Sequence, residues 1–238
     1  MEKRTFAMIK PDAVACHYTG QIITLIEKAG FRIIAQKMLR LTTSDTNKFY
    51  AVHSQLMNVS YLFLAPGFEE MEAIAVVDVL RRGGVDVRTV SVGGGKEVTS
   101  AHQVTLRADL SLEQIRPEEA ECLIFPGGML GAQNLSECEK LMTILQHHYD
   151  QGRMVAAICA APALVLSHLK TNRKLRVTCY PGFEKYVPDF EVVADGVAVD
   201  GNVITGKGPG FAIQFGVTLL EQLRSSGKAK EVAAGMLL

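Results

Sequence analysis

Cys159 stands in the run of residues 154–166, MVAAICAAPALVL, where a small-apolar and β-branched stretch gives way to one that contains Pro162. A buried strand running into a helix with proline among its first residues puts this thiol at a strand's carboxyl end and a helix N-terminus. Unpaired amides and the helix dipole stabilise a thiolate there, so a lowered thiol pKa is expected. In open α/β sheets ligands also bind beyond the carboxyl ends of strands. A nucleophile is therefore the sharper reading of Cys159, and a small core residue the plainer one.

Two further segments could complete such a site. Residues 125–131, FPGGMLG, follow another strand-like run, and their glycines leave bare amides able to cradle an oxyanion or a sulfur-bound oxygen; a tight turn is the simpler alternative. Residues 67–72, GFEEME, open a helix with three carboxylates. Glu69 and Glu70 suit the helix dipole, whereas Glu72 lies a turn further in beside Ala73 and Ile74, where a partly buried, protonated carboxyl is expected. Metal chemistry finds little support. The five cysteines are widely spaced without Cys-x-x-Cys, and the six histidines form no His-Glu-x-x-His pair. His147 and His148 would point about 100° apart on a helix.

The elements that must position these residues read as α/β. From residue 57 onward, β-rich runs at 59–64, 85–92, 122–125 and 154–158 alternate with helical stretches, as a parallel sheet with covering helices requires. Ser136 and Glu139 are spaced as a capping box, followed by the apolar face Leu141, Met142, Leu145 and Tyr149 and closed by Gly152. Residues 191–205 place Asp-Gly twice between β-branched residues, a hairpin signal. Ahead of residue 57 lies a separate unit of about fifty residues: a strand at 5–10, an amphipathic helix at 19–30, a strand at 31–41 and a helix at 43–53, with the junction at 54–57.

Composition narrows the partners. Apolar residues make up 48% of the 238, and 25 basic residues balance 25 acidic ones, so no net field draws nucleic acid or an anionic membrane. The longest nearly apolar run, residues 154–166, is well short of the ~20 residues of a spanning helix. Glu2, Lys3, Arg4, Lys10 and Asp12 break up the first 30 residues, so no secretory signal is read there and a cytoplasmic protein is expected. A small, locally recognised ligand is the best fit.

Four ordered motifs, LFLAPGFEEMEAIAVVDVLRRGG, PGGMLGAQNLSE, AAICAAPALVL and TGKGPG, make residues 57–238 resemble the ThiJ/PfpI superfamily, in the branch that includes the parkinsonism-associated deglycase. The resemblance implies a flavodoxin-like parallel sheet sandwiched by helices. It also implies Cys159 as an oxidation-sensitive nucleophile, Glu72 as the acidic partner of its sulfur, the amides of Gly128 and Ala160 as oxyanion-type donors, and His102, Lys207 and Pro209 as pocket lining. No cofactor and no metal are implied. Ala160 stands where protease-like members carry a histidine, so a peptidase is not expected. Tyr180 and Lys207 replace a histidine and an arginine of the deglycase, and His102 replaces a second arginine, which leaves the substrate open.

Residues 1–54 resemble something else, the N-terminus of nucleoside diphosphate kinase, through RTFAMIKPDAV, IEKAGFRIIAQKMLRLT and FYAVHS. This implies half of a ferredoxin-like domain, a βαβα unit, spliced before the second domain as a fusion or chimera. Lys10 and Tyr50 fall at positions near the nucleotide phosphates, but the family's phosphorylated histidine has no counterpart, and His17 and His53 are isolated. The readings that follow are a cofactor-free glyoxalase or deglycase acting on methylglyoxal, glyoxal or their protein adducts; a redox sensor or chaperone built on the same cysteine; and, remotely, phosphoryl transfer by the N-terminal unit. Half a ferredoxin-like sheet leaves strand edges and an apolar face uncovered, so at least a homodimer is expected.

Overall fold

A computed structural model describes residues 7, 9, 11–39 and 59–238, and the chain divides into two compact units, Met1–Phe49 and Tyr50–Leu238. In the first, helices α1 (Pro11–Ala15) and α2 (Thr19–Lys28) form, and α2 ends where Gly30 turns left-handed at φ +86°. No residue of α2 is buried. The strand expected over 31–41 does not form across the described residues 31–39, because none of them pairs with a second strand among the described residues and an extended segment is held only by such pairing. Lys10, Tyr50, His53, the helix at 43–53 and the junction at 54–57 fall outside the described residues, as does most of the strand at 5–10.

The second unit is built on a mostly parallel sheet. Its strands are β1 (Val59–Leu64), β2 (Asp86–Ser91), β5 (Leu110–Ser111), β6 (Ala120–Phe125), β7 (Met154–Ile158), β10 (Val197–Asp200) and β11 (Val203–Gly206), in the order β10-β11-β7-β6-β1-β2-β5. Only β10 runs antiparallel, in the hairpin with β11. Small hairpin partners β3 (Glu97–Thr99) and β4 (Thr105–Arg107) lie apart, as do β8 (Arg176–Val177) and β9 (Glu191–Val192). All six residues of β1 are buried, an apolar run broken only by Ser60, as in a strand covered on both faces.

Helix α3 (Glu70–Arg82) carries the crossover from β1 to β2, while α4 (Met129–Ser136) and α5 (Glu139–Asp150) carry that from β6 to β7, toward the other edge. Right-handed crossovers in opposite directions put these helices on opposite faces of the sheet. On the first face α3 packs on α7 (Ala212–Leu223), which also meets α8 (Ser226–Gly235). That approach needs Gly83, where a Cβ would sit 2.2 Å from Leu220. Sheet order therefore reverses between β1 and β6, and the crevice beyond their carboxyl ends is the ligand position of this architecture.

Two local expectations change. Helix α5 is capped by Cys138 with no side-chain bond, because Ser136 still belongs to α4 and its hydroxyl donates to Gln133 O at 2.8 Å. Of the two Asp-Gly pairs, only Asp200-Gly201 turns the β10–β11 hairpin; Asp195-Gly196 leads from β9 into β10. Among the described residues no helix is long and apolar enough to cross a membrane.

Candidate active site

Cys159 follows β7 directly and holds a left-handed backbone at φ +65°, a conformation that costs a non-glycine residue about 1–3 kcal/mol. Two bonds hold it there: its amide donates to Gly206 O at 2.9 Å, and its carbonyl accepts from the Tyr180 amide at 2.8 Å. Ala160 caps a single short turn, α6 (Ala161–Leu164), with Pro162 among its first residues. The backbone amides of Ala160 and of Gly128, the N-cap of α4, lie close enough to the Cys159 sulfur to favour its charged form.

Glu72 closes the site from α3. Its side chain is wholly buried, and Oε2 accepts the Gly127 amide at 2.6 Å, while Oε1 has no hydrogen-bond partner among the described residues. A Cβ on Gly127 would lie 2.6 Å from both Cys159 Cβ and Glu72 Oε2 and 3.0 Å from Sγ, so only glycine lets the three chains meet. The neighbouring Gly128 is left-handed at φ +84°, and a Cβ there would strike Gly67 O at 2.2 Å.

Burial pushes the Glu72 carboxyl up to about 7, against the pull of the Gly127 amide and a hydrogen bond with Cys159; the nearby Glu69 charge adds to the rise. Burial, the charge of Glu72 and their mutual hydrogen bond push the Cys159 thiol up to about 12, against the two amides. This corrects the expectation of a lowered thiol. Two amides and one helical turn do not offset a buried site that also holds a carboxylate. With Glu72 ionised the proton sits on sulfur, next to a base; with Glu72 protonated the carboxyl becomes a donor to the thiolate.

The other expected residues separate into two places. Lys207 and Pro209 line a cleft of about 210 Å³ with Tyr180, Pro181 and Phe211. His102 does not line this cleft. It is exposed, with Nδ1 2.8 Å from Glu70 Oε1 and 3.8 Å from Glu69 Oε2. Glu69, Glu70 and His102 offer three metal-ligand atoms within 4.8 Å of one another. The short His102–Glu70 contact instead pairs the groups over the first turn of α3. The sequence reading passed over Phe211 and Pro181; the signal available was their adjacency to the glycine-rich and proline turns at residues 205–210 and 180–182. A larger cleft, about 380 Å³, flanks β2 between Arg81, Arg88 and Asp109, whose charges are already paired with one another or with Asp86.

Known proteins match this part of the chain. The model of the DJ-1/PfpI family matches residues 59–222. Protein DJ-1 homolog B of Arabidopsis thaliana is 37% identical over 176 residues, 74% of this chain; the chain spans only 40% of that protein's length. The glutathione-independent glyoxalase DJR-1.2 of Caenorhabditis elegans is 31% identical over 71% of this chain and 90% of its own. The crystal structure of Drosophila melanogaster DJ-1beta superposes with a TM-score of 0.72 at 35% identity, covering 76% of this chain and 98% of that one. The chain belongs to the DJ-1/PfpI family.

Proposed function

We propose that this DJ-1/PfpI family member is a cofactor-free glyoxalase or deglycase that converts methylglyoxal, glyoxal or their protein adducts through Cys159 and Glu72. The observation that carries this reading is a cysteine on a left-handed backbone whose side chain meets a buried carboxyl over Gly127, with that carboxyl's pKa raised by burial to about 7. A base poised near the working pH is what proton shuttling needs. The glyoxalase name of the Caenorhabditis relative supports the same reading.

Cys159 Sγ forms a C–S bond to the aldehyde carbon of the dicarbonyl while Glu72 takes the thiol proton and passes it to the aldehyde oxygen, giving a hemithioacetal. In this reading the Gly128 and Ala160 amides beside the sulfur are the donors that stabilise the developing oxyanion. Glu72 then moves the hydrogen of that carbon to the former ketone oxygen, giving an enediol, and next takes the proton of the hydroxyl on the sulfur-bearing carbon and delivers it to the former ketone carbon, leaving a thioester. One carbon is oxidised and its neighbour reduced, so no outside oxidant enters. Water cleaves the resulting thioester to a 2-hydroxy acid and restores the thiol. For a protein adduct the leaving group is the amine or thiol that carried the dicarbonyl.

Incubation with methylglyoxal tests this: lactate forms with the wild-type chain and not with Cys159→Ala. A second reading, a redox sensor or chaperone, rests on the two amides aimed at the sulfur, which would equally hold sulfinate oxygens. Sulfinic acid at Cys159 under mild peroxide, with no lactate from methylglyoxal, would favour it.

For residues 1–54 we retain the reading of a nucleoside diphosphate kinase-like fragment without phosphoryl transfer. It predicts no passage of γ-phosphate from ATP to a diphosphate; transfer that survives Cys159→Ala and is lost in Lys10→Ala would contradict it. The exposed Leu25, Phe31, Ile34 and Met38 of this unit support the proposal of at least a homodimer, which a monomeric mass by sedimentation would overturn.

A further inference from the structure

Two residues of the cleft lined by Tyr180, Lys207, Pro209 and Phe211 are tied through the backbone to the nucleophile. Tyr180 donates its amide to the Cys159 carbonyl, and Lys207 follows Gly206, whose carbonyl accepts the Cys159 amide. Two aromatic rings flank it, and both keep apolar surface open: Tyr180 is 46% exposed and Phe211 38%.

These rings are seated rather than loose. Tyr180 lies over bare backbone, its ring carbon 3.3 Å from where a Cβ would stand on Gly208, and it meets Phe183 edge-on at 6.2 Å between centroids. Phe211 sits so closely on Gly196 that a Cβ there would come within 2.2 Å of the ring. The Tyr180 hydroxyl has no hydrogen-bond partner among the described residues, so the ring is not placed by its polar end. The Lys207 ammonium donates to Ala194 O at 3.2 Å. The lining thus offers two flat aromatic faces beside one lysine and no acidic group.

A dicarbonyl held on Cys159 has a second carbon whose substituent must go somewhere. In glyoxal it is hydrogen, which leaves such a cleft empty; a flat hydrocarbon group fills it and removes apolar surface from water. We propose that the cleft receives the substituent on the ketone carbon, and that the enzyme discriminates in favour of α-oxoaldehydes bearing an aryl or branched alkyl group. This rests on the glyoxalase reading and names its substrate class.

The test uses the full chain with glyoxal, methylglyoxal and phenylglyoxal, reading initial rates of 2-hydroxy acid formation. Intrinsic reactivity differs among the three, so the informative quantity is the variant-to-wild-type ratio for each. Tyr180→Ala and Phe211→Leu should lower kcat/KM for phenylglyoxal about tenfold more than for glyoxal, mainly through KM, the size expected for loss of one apolar wall. Tyr186→Ala, an equally exposed aromatic outside the cleft, should leave the ratio between the substrates unmoved. Equal losses for phenylglyoxal and glyoxal in both cleft variants, or a shifted ratio in Tyr186→Ala as well, overturn the pocket assignment while the glyoxalase reading stands. No turnover of any of the three by the wild-type chain overturns both.

Discussion

Cys122 and Cys159 are the same residue type on neighbouring strands of one sheet, the first within β6 and the second just past the end of β7, and both are buried, yet they occupy opposite chemical situations. Cys122 lies inside β6, its backbone committed to the ladder, and burial, with the charge of Glu121, holds its thiol well above the ordinary value. Cys159 lies one residue past β7, in a left-handed conformation, with two amides and a carboxyl against its sulfur. Burial raises both thiols, so burial does not make the difference. Termination of the strand makes it, because only at a strand end are amides free to point at a side chain and only there can another element insert a carboxyl.

The largest effect that could break this contrast is on turnover. Cys159→Ala should reduce hydroxy acid formation from methylglyoxal by more than about a thousandfold, while Cys122→Ala retains it and loses only about 1 kcal/mol of stability. Comparable activity losses in the two variants, measured beside their thermal melts, would erase the distinction.

Next in size is the carboxyl. Its folded-state pKa, about 7, stands above the 4.5 of a free glutamate, so the proton on Glu72 favours folding fully below pH 4.5, and that contribution disappears as pH rises toward 7. Glu72→Gln keeps an acceptor for the Gly127 amide and carries no charge. Denaturant titrations should find it more stable than wild type by up to about 3 kcal/mol at pH 8 and equal at pH 4. A stability difference that does not change with pH would show that the buried carboxylate carries no penalty.

Smaller effects separate glycines that make the site from glycines that only turn the chain. Gly127→Ala forces a methyl against Cys159 and Glu72 and should cost about 1–3 kcal/mol together with most turnover. Gly152→Ala, left-handed at φ +70° but facing open space, should cost about 1 kcal/mol and no activity. Melting curves with parallel assays check both, and equal activity in the two would remove the close approach at Gly127 from the site.

Much of this was readable in the residues. The run at 154–158 reads as a strand and is one, and the turn carrying Cys159 follows from the chain passing into Pro162. Glu72 was separable from Glu69 and Glu70 by its place one turn into an amphipathic helix. The direction of the thiol shift was not readable, because it depends on how deeply the carboxyl sits against the sulfur, and that is set by Gly127 allowing three segments to touch. The Phe211 wall was hidden for a similar reason: nothing local ties residue 211 to Gly196 or Tyr180 before the β10–β11 hairpin brings them together. The strand expected over 31–41 shows the converse limit, since β-rich composition does not by itself pair residues 31–39 with a second strand among the described residues.

The pairing of Cys159 with Glu72 is tested most directly by the rate at which iodoacetamide alkylates Cys159 between pH 6 and 10, read by mass spectrometry of the peptide, in wild type and Glu72→Gln. Burial and the carboxylate charge together hold the thiol up, and removing the charge alone should raise the rate at pH 8 by about tenfold. An equal or slower rate in Glu72→Gln would contradict the shared-proton pair.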